Sequence, residues 1–250
     1  MTNFSEIKVS RDGERCTISF NRTEALNAIT PTMLEELNTA ATAASEDDSI
    51  RFVVLTGEGK SFSAGVDLKA LGERELVNGK VGDILDLPAR RLTSTLSSMP
   101  KVTIARVNGF CFTGALELAI SCDLLVVASN AKMGDTHAKF GLRPTWGLSQ
   151  RLPELVGLAK ARELSFTARM FSGEEAAQWG LATEAVALED LDRRIDDLIA
   201  EMSANSSESF VAYKDLYAAS SQLGLKAGLE FEAITDYRFS ETEERLKGFR

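Results

Sequence analysis

The chain has 250 residues, 44% of them apolar and 26% charged, with 18 Gly and 5 Pro, the composition of a soluble globular protein of one or two domains. Asp and Glu total 37 against 28 Lys and Arg, a formal charge of -9 with no basic run to track a phosphate backbone, so nucleic acid is excluded as a partner. No membrane is expected either: apolar runs such as 124–128 fall far short of the ~20 residues a spanning helix needs. The opening Met1-Thr-Asn-Phe lacks the basic and apolar regions of a signal peptide.

Strands are predicted at 7–10, 16–20, 52–56, 102–107 and 124–128, where β-branched and apolar residues cluster. Between them, Thr30-Pro31 reads as an N-cap followed by proline at the first helical position, with Met33, Leu34, Leu37 and Ala41 on one helical face. A second helix is predicted over 83–98, ended by Met99-Pro100. From about Leu158 onward the pattern is read as entirely helical. Ser172-Gly-Glu-Glu175 forms a capping box, Gly180 ends that helix, and amphipathic helices follow over 188–202, 207–219 and 224–239. The three cysteines, Cys16, Cys111 and Cys122, show no ligand spacing and read as reduced, buried residues of a cytoplasmic protein.

Three segments carry candidate chemistry. Residues 57–68, GEGKSFSAGVDL, follow a strand and hold small residues where a tight turn could expose backbone N–H groups to a developing anion; a plain glycine loop is the alternative. Residues 107–122, VNGFCFTGALELAISC, contain one charged residue, Glu117, one turn inside a helix that Thr113 could cap and Gly114 could open. A carboxylate in such surroundings is costly unless it is paired or used, so Glu117 is either a structural partner or a base of raised pKa. Residues 131–147 form a long irregular stretch with the only histidine, His137, and with Trp146, which could line a pocket or pack beneath the loop.

Taken in order, these segments resemble the crotonase superfamily, the enoyl-CoA hydratase/isomerase family. The resemblance runs through Asn21-Arg22-Thr-Glu-Ala-Leu-Asn27-Ala28, Phe62-Ser-Ala-Gly-Val-Asp-Leu68, Ala105-Arg-Val-Asn-Gly109, Gly114-Ala-Leu-Glu117 and Cys122-Asp123-Leu124, then residues 171–181 and a terminal Phe239-Ser-Glu-Thr-Glu-Glu. It implies an α/β fold, a crotonase-like spiral of ββα units over 1–190, with a helical trimerisation region over 191–250. The expected assembly is a homotrimer or a hexamer built as a dimer of trimers.

The resemblance further implies an acyl-CoA thioester as substrate, with coenzyme A part of that substrate and no separate cofactor or metal. By matching position, the amides of Val66 and Gly114 form an oxyanion hole, while Glu24, Ala25, Leu26, Ala64, Asp67 and Leu68 contact the CoA moiety, Ala64 and Leu68 through carbonyls toward the adenine. Glu117 matches the first of two glutamates used by the family's hydratases. The second position is His137 here, and Thr113-Gly114-Ala115 stands where three glycines are common. The expected reaction is addition of water to a trans-2-enoyl-CoA, giving a 3-hydroxyacyl-CoA through an enolate. A double-bond isomerase and a non-catalytic acyl-CoA binding protein are the alternatives.

Overall fold

The computed structural model describes residues 4–70, 72 and 76–249. A hairpin opens the chain: β1 (Ile7–Asp12) and β2 (Arg15–Phe20) pair antiparallel across a turn in which Gly13 takes φ +55°. Helix α1 (Pro31–Glu46) follows, its first turn capped by the Thr30 hydroxyl, which accepts from Met33 N at 3.0 Å.

The pattern then repeats. Strands β3 (Phe52–Gly57) and β4 (Ser61–Ser63) lead to α2 (Asp83–Ser98), and β5 (Val102–Val107) and β6 (Phe110–Phe112) lead to α3 (Gly114–Ala119). A third turn holds β7 (Leu124–Ala128), β8 (Lys132–Gly134) and α4 (Leu148–Thr167), the last broken at Gly157, where φ +76° and ψ 154° interrupt the helix. In each of these three turns the first strand joins one sheet and the second strand joins another, whereas β1 and β2 of the opening hairpin share one sheet. The larger sheet runs β1-β2-β3-β5-β7-β10, and the smaller runs β4-β6-β8-β9, where β9 is Phe171–Ser172 and β10 is Glu184–Val186. This is the expected spiral of ββα units.

Burial explains the pattern. All six residues of β3 are buried, as a parallel strand covered on both faces requires. Phe20 of β2 meets Phe62 of β4 edge to face at 5.0 Å, joining the two sheets. Cys16 and Cys111 are buried as expected, while Cys122 is half-buried.

Two sequence expectations are corrected. The region after Leu158 is not wholly helical, because β9 and β10 add edge strands on either side of α5 (Gly173–Gln178). Their runs of two and three residues are too short to show a period of two. The Ser172–Glu175 capping box is present, with both reciprocal bonds made. The helix expected over 224–239 is α8 (Leu225–Ile234) and ends earlier.

The chain divides into two units, Met1–Asp196 and Asp197–Arg250, at a point inside α6 (Leu191–Ser203). The second unit contains α7 (Ser207–Gln222), α8 and α9 (Thr242–Leu246). Within it the Tyr237 hydroxyl donates to Asp215 at 2.6 Å, and Tyr213 stacks on Tyr217.

In the first unit one buried side chain secures the loop between β2 and α1. Asn27 accepts from Arg22 N at 2.9 Å and donates to the carbonyls of Glu58 at 3.0 Å and Ser61 at 2.7 Å, holding that loop against β4. Replacing Asn27 with Ala strands these backbone groups in a buried place. The expected loss is at least about 2 kcal/mol, read as a lower urea midpoint with unchanged slope.

Candidate active site

Parallel neighbours run the same way, so their chains leave at the same, C-terminal end of the sheet. β4 and β6 pair with Ser63 opposite Cys111, so the segments that carry Val66 and Gly114 leave the sheet at that shared end, each a short step past the pairing. The two turns touch: a Cβ on Gly65, which has φ +91°, would stand 2.4 Å from Thr113 Oγ1 and 2.8 Å from the Phe112 carbonyl oxygen. Ile29 brackets Val66 by accepting from Asp67 N at 2.9 Å and donating to Gly65 O at 2.8 Å, a bridge that leaves the Val66 N–H turned the other way. Gly114 opens α3, where first-turn N–H groups have no partner within the helix. Thr113 does not cap it as expected: its side chain makes no cap bond, and the residue adopts φ +47°, ψ -114°. A β-branched residue held in that region stores strain of the kind found at functional turns.

Glu117 is 1% exposed. Its Oε1 accepts from the backbone N–H of Trp146 at 2.9 Å and of Leu148 at 3.0 Å. Between those donors Gly147 takes φ +121°, the turn that aims both amides at one oxygen. Oε2 faces His137 Nε2 at 3.7 Å. Burial pushes the Glu117 carboxyl above its ordinary range, and the two amides and the charge of His137 offset only part of that rise.

Trp146 is buried and links the site to α2. A Cβ on Gly114 would strike its six-membered ring at 2.4 Å, which is why glycine stands there. The indole N–H donates to Asp86 Oδ1 at 2.9 Å, beside the Thr145 hydroxyl at 2.6 Å. Asp86 is fully buried, and its Oδ2 has no hydrogen-bond partner among the described residues.

His137 is 8% exposed, so the loop histidine is not solvated. Its Nδ1 lies 2.7 Å from Asp135 Oδ1, which also accepts from His137 N at 3.2 Å, and Ser165 Oγ donates to Asp135 Oδ2 at 2.7 Å. Burial opposes ionisation of Asp135, but hydrogen bonds from His137 and Ser165 outweigh it and hold this carboxyl below its usual range.

The residues matched to CoA contacts lie together. Ala64 N donates to Leu26 O at 2.9 Å, joining the two segments that hold them; Ala25, Leu26 and Ala64 are half-buried, and Glu24 and Leu68 are exposed. Asp67 is engaged inside the protein: Oδ2 takes Arg22 at 3.0 Å, and Oδ1 accepts from the N–H groups of Lys69 and Ala70. Leu71 and residues 73–75, between Leu68 and α2, lie outside the described residues. Asp86, Asp135 and Ser165 were not singled out from sequence. Asp86 could have been, because it shares the inward face of α2 with Ala89 and Thr93.

A cleft of about 550 Å³ lined by Arg15, Thr17, Thr56 and Arg106 holds none of these site residues. Another, of about 340 Å³, is lined by His137, Asp135, Leu142, Leu152 and Phe166. Among the described residues no helix is long and apolar enough to cross a membrane.

The spiral fold and the two touching turns beside a buried carboxylate define a crotonase-type α/β protein. The family model described as enoyl-CoA hydratase/isomerase matches residues 12–250, and the chain belongs to that family. It is 30% identical over 230 residues to the short-chain-enoyl-CoA hydratase of Clostridium acetobutylicum, covering 92% of this chain and 87% of that protein. It is 34% identical over 189 residues to the crotonyl-CoA hydratase of Syntrophomonas wolfei, covering 75% and 72%. The enoyl-CoA hydratase structure from Bacillus anthracis superposes with a TM-score of 0.90 at 28% identity, covering 98% and 96%. A Thermobifida fusca structure in complex with acetoacetyl-CoA superposes at 0.82 with 29% identity, covering 97% and 95%.

The raised Glu117 carboxyl has a stability consequence of definite sign. The folded state binds this proton more tightly than the unfolded chain, so the associated stability is present below the unfolded value near 4.5 and is lost as pH rises through the higher folded value. Glu117→Gln keeps an acceptor for both amides without the buried charge. The variant is expected to melt above the wild type at pH 8, with the gap closing toward pH 4, followed by calorimetry; a wild type more stable at pH 8 contradicts this.

Proposed function

We propose that the protein is an enoyl-CoA hydratase that adds water across the double bond of a trans-2-enoyl-CoA. The observation that carries this reading is Glu117, fixed through Oε1 by two amides with Oε2 turned toward His137 at 3.7 Å. Such an arrangement suits an oxygen that holds and deprotonates water while a second group supplies a proton to the neighbouring carbon. The amides of Val66 and Gly114, on turns in contact, are assigned to the thioester oxygen, where they would lower the energy of the enolate. Hydratase-named relatives and the acetoacetyl-CoA complex of the Thermobifida fusca structure support an acyl-CoA substrate. Coenzyme A enters as part of that substrate.

In this reading Ala25, Leu26 and Ala64 form the surface on which the CoA moiety lies, with Glu24 and Leu68 at its rim and Asp67 acting through Arg22. The Ala64 and Leu68 carbonyls are assigned to the adenine. Trp146 packs on Gly114 and limits the space beyond the thioester.

Loss of enone absorbance from crotonyl-CoA tests the reaction. The wild type is expected to turn over, and Glu117→Gln to lose about 10²–10⁴-fold in kcat. Conversion of a 3-enoyl-CoA to the conjugated product without hydration would place the protein among the isomerases. Tight binding with no turnover of either substrate overturns both enzymatic readings.

The second unit displays Leu225, Ile234 and Tyr217 at 81%, 77% and 66% exposure. Apolar exposure of this kind suits subunit contact, and the protein is proposed to assemble as a trimer or a hexamer. Sedimentation equilibrium is expected to return three or six chain masses; a monomer at micromolar concentration rejects the assembly.

A further inference from the structure

An imidazole has two nitrogens, and which one faces the substrate depends on what holds the other. Here the holding group is clear. Asp135 Oδ1 lies 2.7 Å from His137 Nδ1 and accepts from the His137 backbone N–H as well, so one oxygen holds both the ring and the backbone of the histidine. The other oxygen is secured from α4 by Ser165. Both heavy groups are nearly sealed from solvent, Asp135 at 2% exposure and His137 at 8%. An ionised carboxylate can only accept, so Nδ1 carries the hydrogen and Nε2 is the nitrogen turned toward Glu117 Oε2. Their 3.7 Å separation is beyond hydrogen-bond range and leaves both atoms available to a third group.

We propose that Asp135 is a positioning residue for His137, and that the Asp135–His137 pair, rather than His137 alone, occupies the second reacting position opposite Glu117. This deepens the hydratase reading and rests on it. For the reaction Oε2 and Nε2 must between them hold one proton and one free lone pair. The lone pair takes a proton from water as the water oxygen bonds the β-carbon. The π electrons shift to form the enolate, and the held proton then completes the new C–H bond at the α-carbon. Water is consumed whole, and proton transfer between Oε2 and Nε2 restores the starting state. Nδ1–H stays on Asp135 throughout, fixing the ring.

Asp135 of the same loop and Glu117 from α3 face His137, and Ser165 from α4 bonds Asp135 on its far side. Arg143 and Arg162 line the adjoining cleft. Among the described residues, Asp135 is the group that hydrogen-bonds Nδ1.

Because the chain contains a single histidine, ¹⁵N-labelled protein gives one imidazole pattern without assignment by mutation. The wild type is expected to show a protonated Nδ1 at every pH where the protein is folded; a bare Nδ1 overturns the proposal. Asp135→Asn is expected to lower kcat on crotonyl-CoA at least about tenfold, with KM changed less than about threefold, since it disturbs the ring and not the CoA contacts. The control is the same substitution in a His137→Glu background. A glutamate there carries its proton without a partner, so Asp135→Asn is expected to matter less than about threefold. Equal losses in both backgrounds would show that Asp135 is only structural and would overturn the proposal. If the wild type hydrates no enoyl-CoA, the hydratase reading fails, while the nitrogen pattern still decides whether Asp135 holds the ring.

Discussion

The buried carboxylate of Glu117 is the constraint around which the first unit is arranged. An ionisable group taken out of water must be met by donors or become neutral, and here two adjacent backbone amides meet one of its oxygens. Those amides reach it only because Gly147 turns the chain with φ +121° and because the Arg151 guanidinium supports the turn, donating to the Trp146 carbonyl at 3.3 Å and to Ser97 at 3.1 Å. The arrangement spends one oxygen on structure and keeps the other for chemistry. Burial at the same time strengthens Glu117 as a base.

Around that constraint the spiral supplies register. Successive ββα turns from β4 onward deliver strand ends to one end of the smaller sheet, so the segments of Val66 and Gly114, nearly fifty residues apart in sequence, leave from adjacent strands at that end. The price of such close approach is visible in the glycines. Gly65 and Gly114 have no room for a Cβ, the first against Thr113 and Phe112, the second against the Trp146 ring. Thr113, by contrast, sits at positive φ without glycine's freedom and is held there by its surroundings. The site is thus a product of packing between turns rather than of any one turn.

Much of this was legible in the residues. Strands β3, β5 and β7 and helices α1 and α2 were marked by buried-strand runs, an N-cap and Pro-bounded periodicity, signals that depend on neighbours within a few positions. Glu117 stood out because a lone charge in an apolar helix has few harmless explanations. Asp135 gave no such signal: between Gly134 and Thr136 it reads as an ordinary loop acid, and only the packing of α4 brings Ser165 to it. The short strands β9 and β10 were missed for a related reason, since their pairing partners, not their own composition, make them strands.

The amino-acid order alone determined the alternation of elements, the carboxylate in the apolar helix, the glycine turns and the family resemblance, all of which are local patterns or patterns in register along the chain. Tertiary structure decided which atoms meet: that Oε1 of Glu117 is taken by Trp146 and Leu148, that Oε2 faces His137, that Asp135 grips the far side of the imidazole and that Asp86 lies beneath the indole. These contacts join residues from separate turns of the spiral. A chain carries no local record of such meetings, because they arise from how sheets and helices pack and not from the preferences of any single segment.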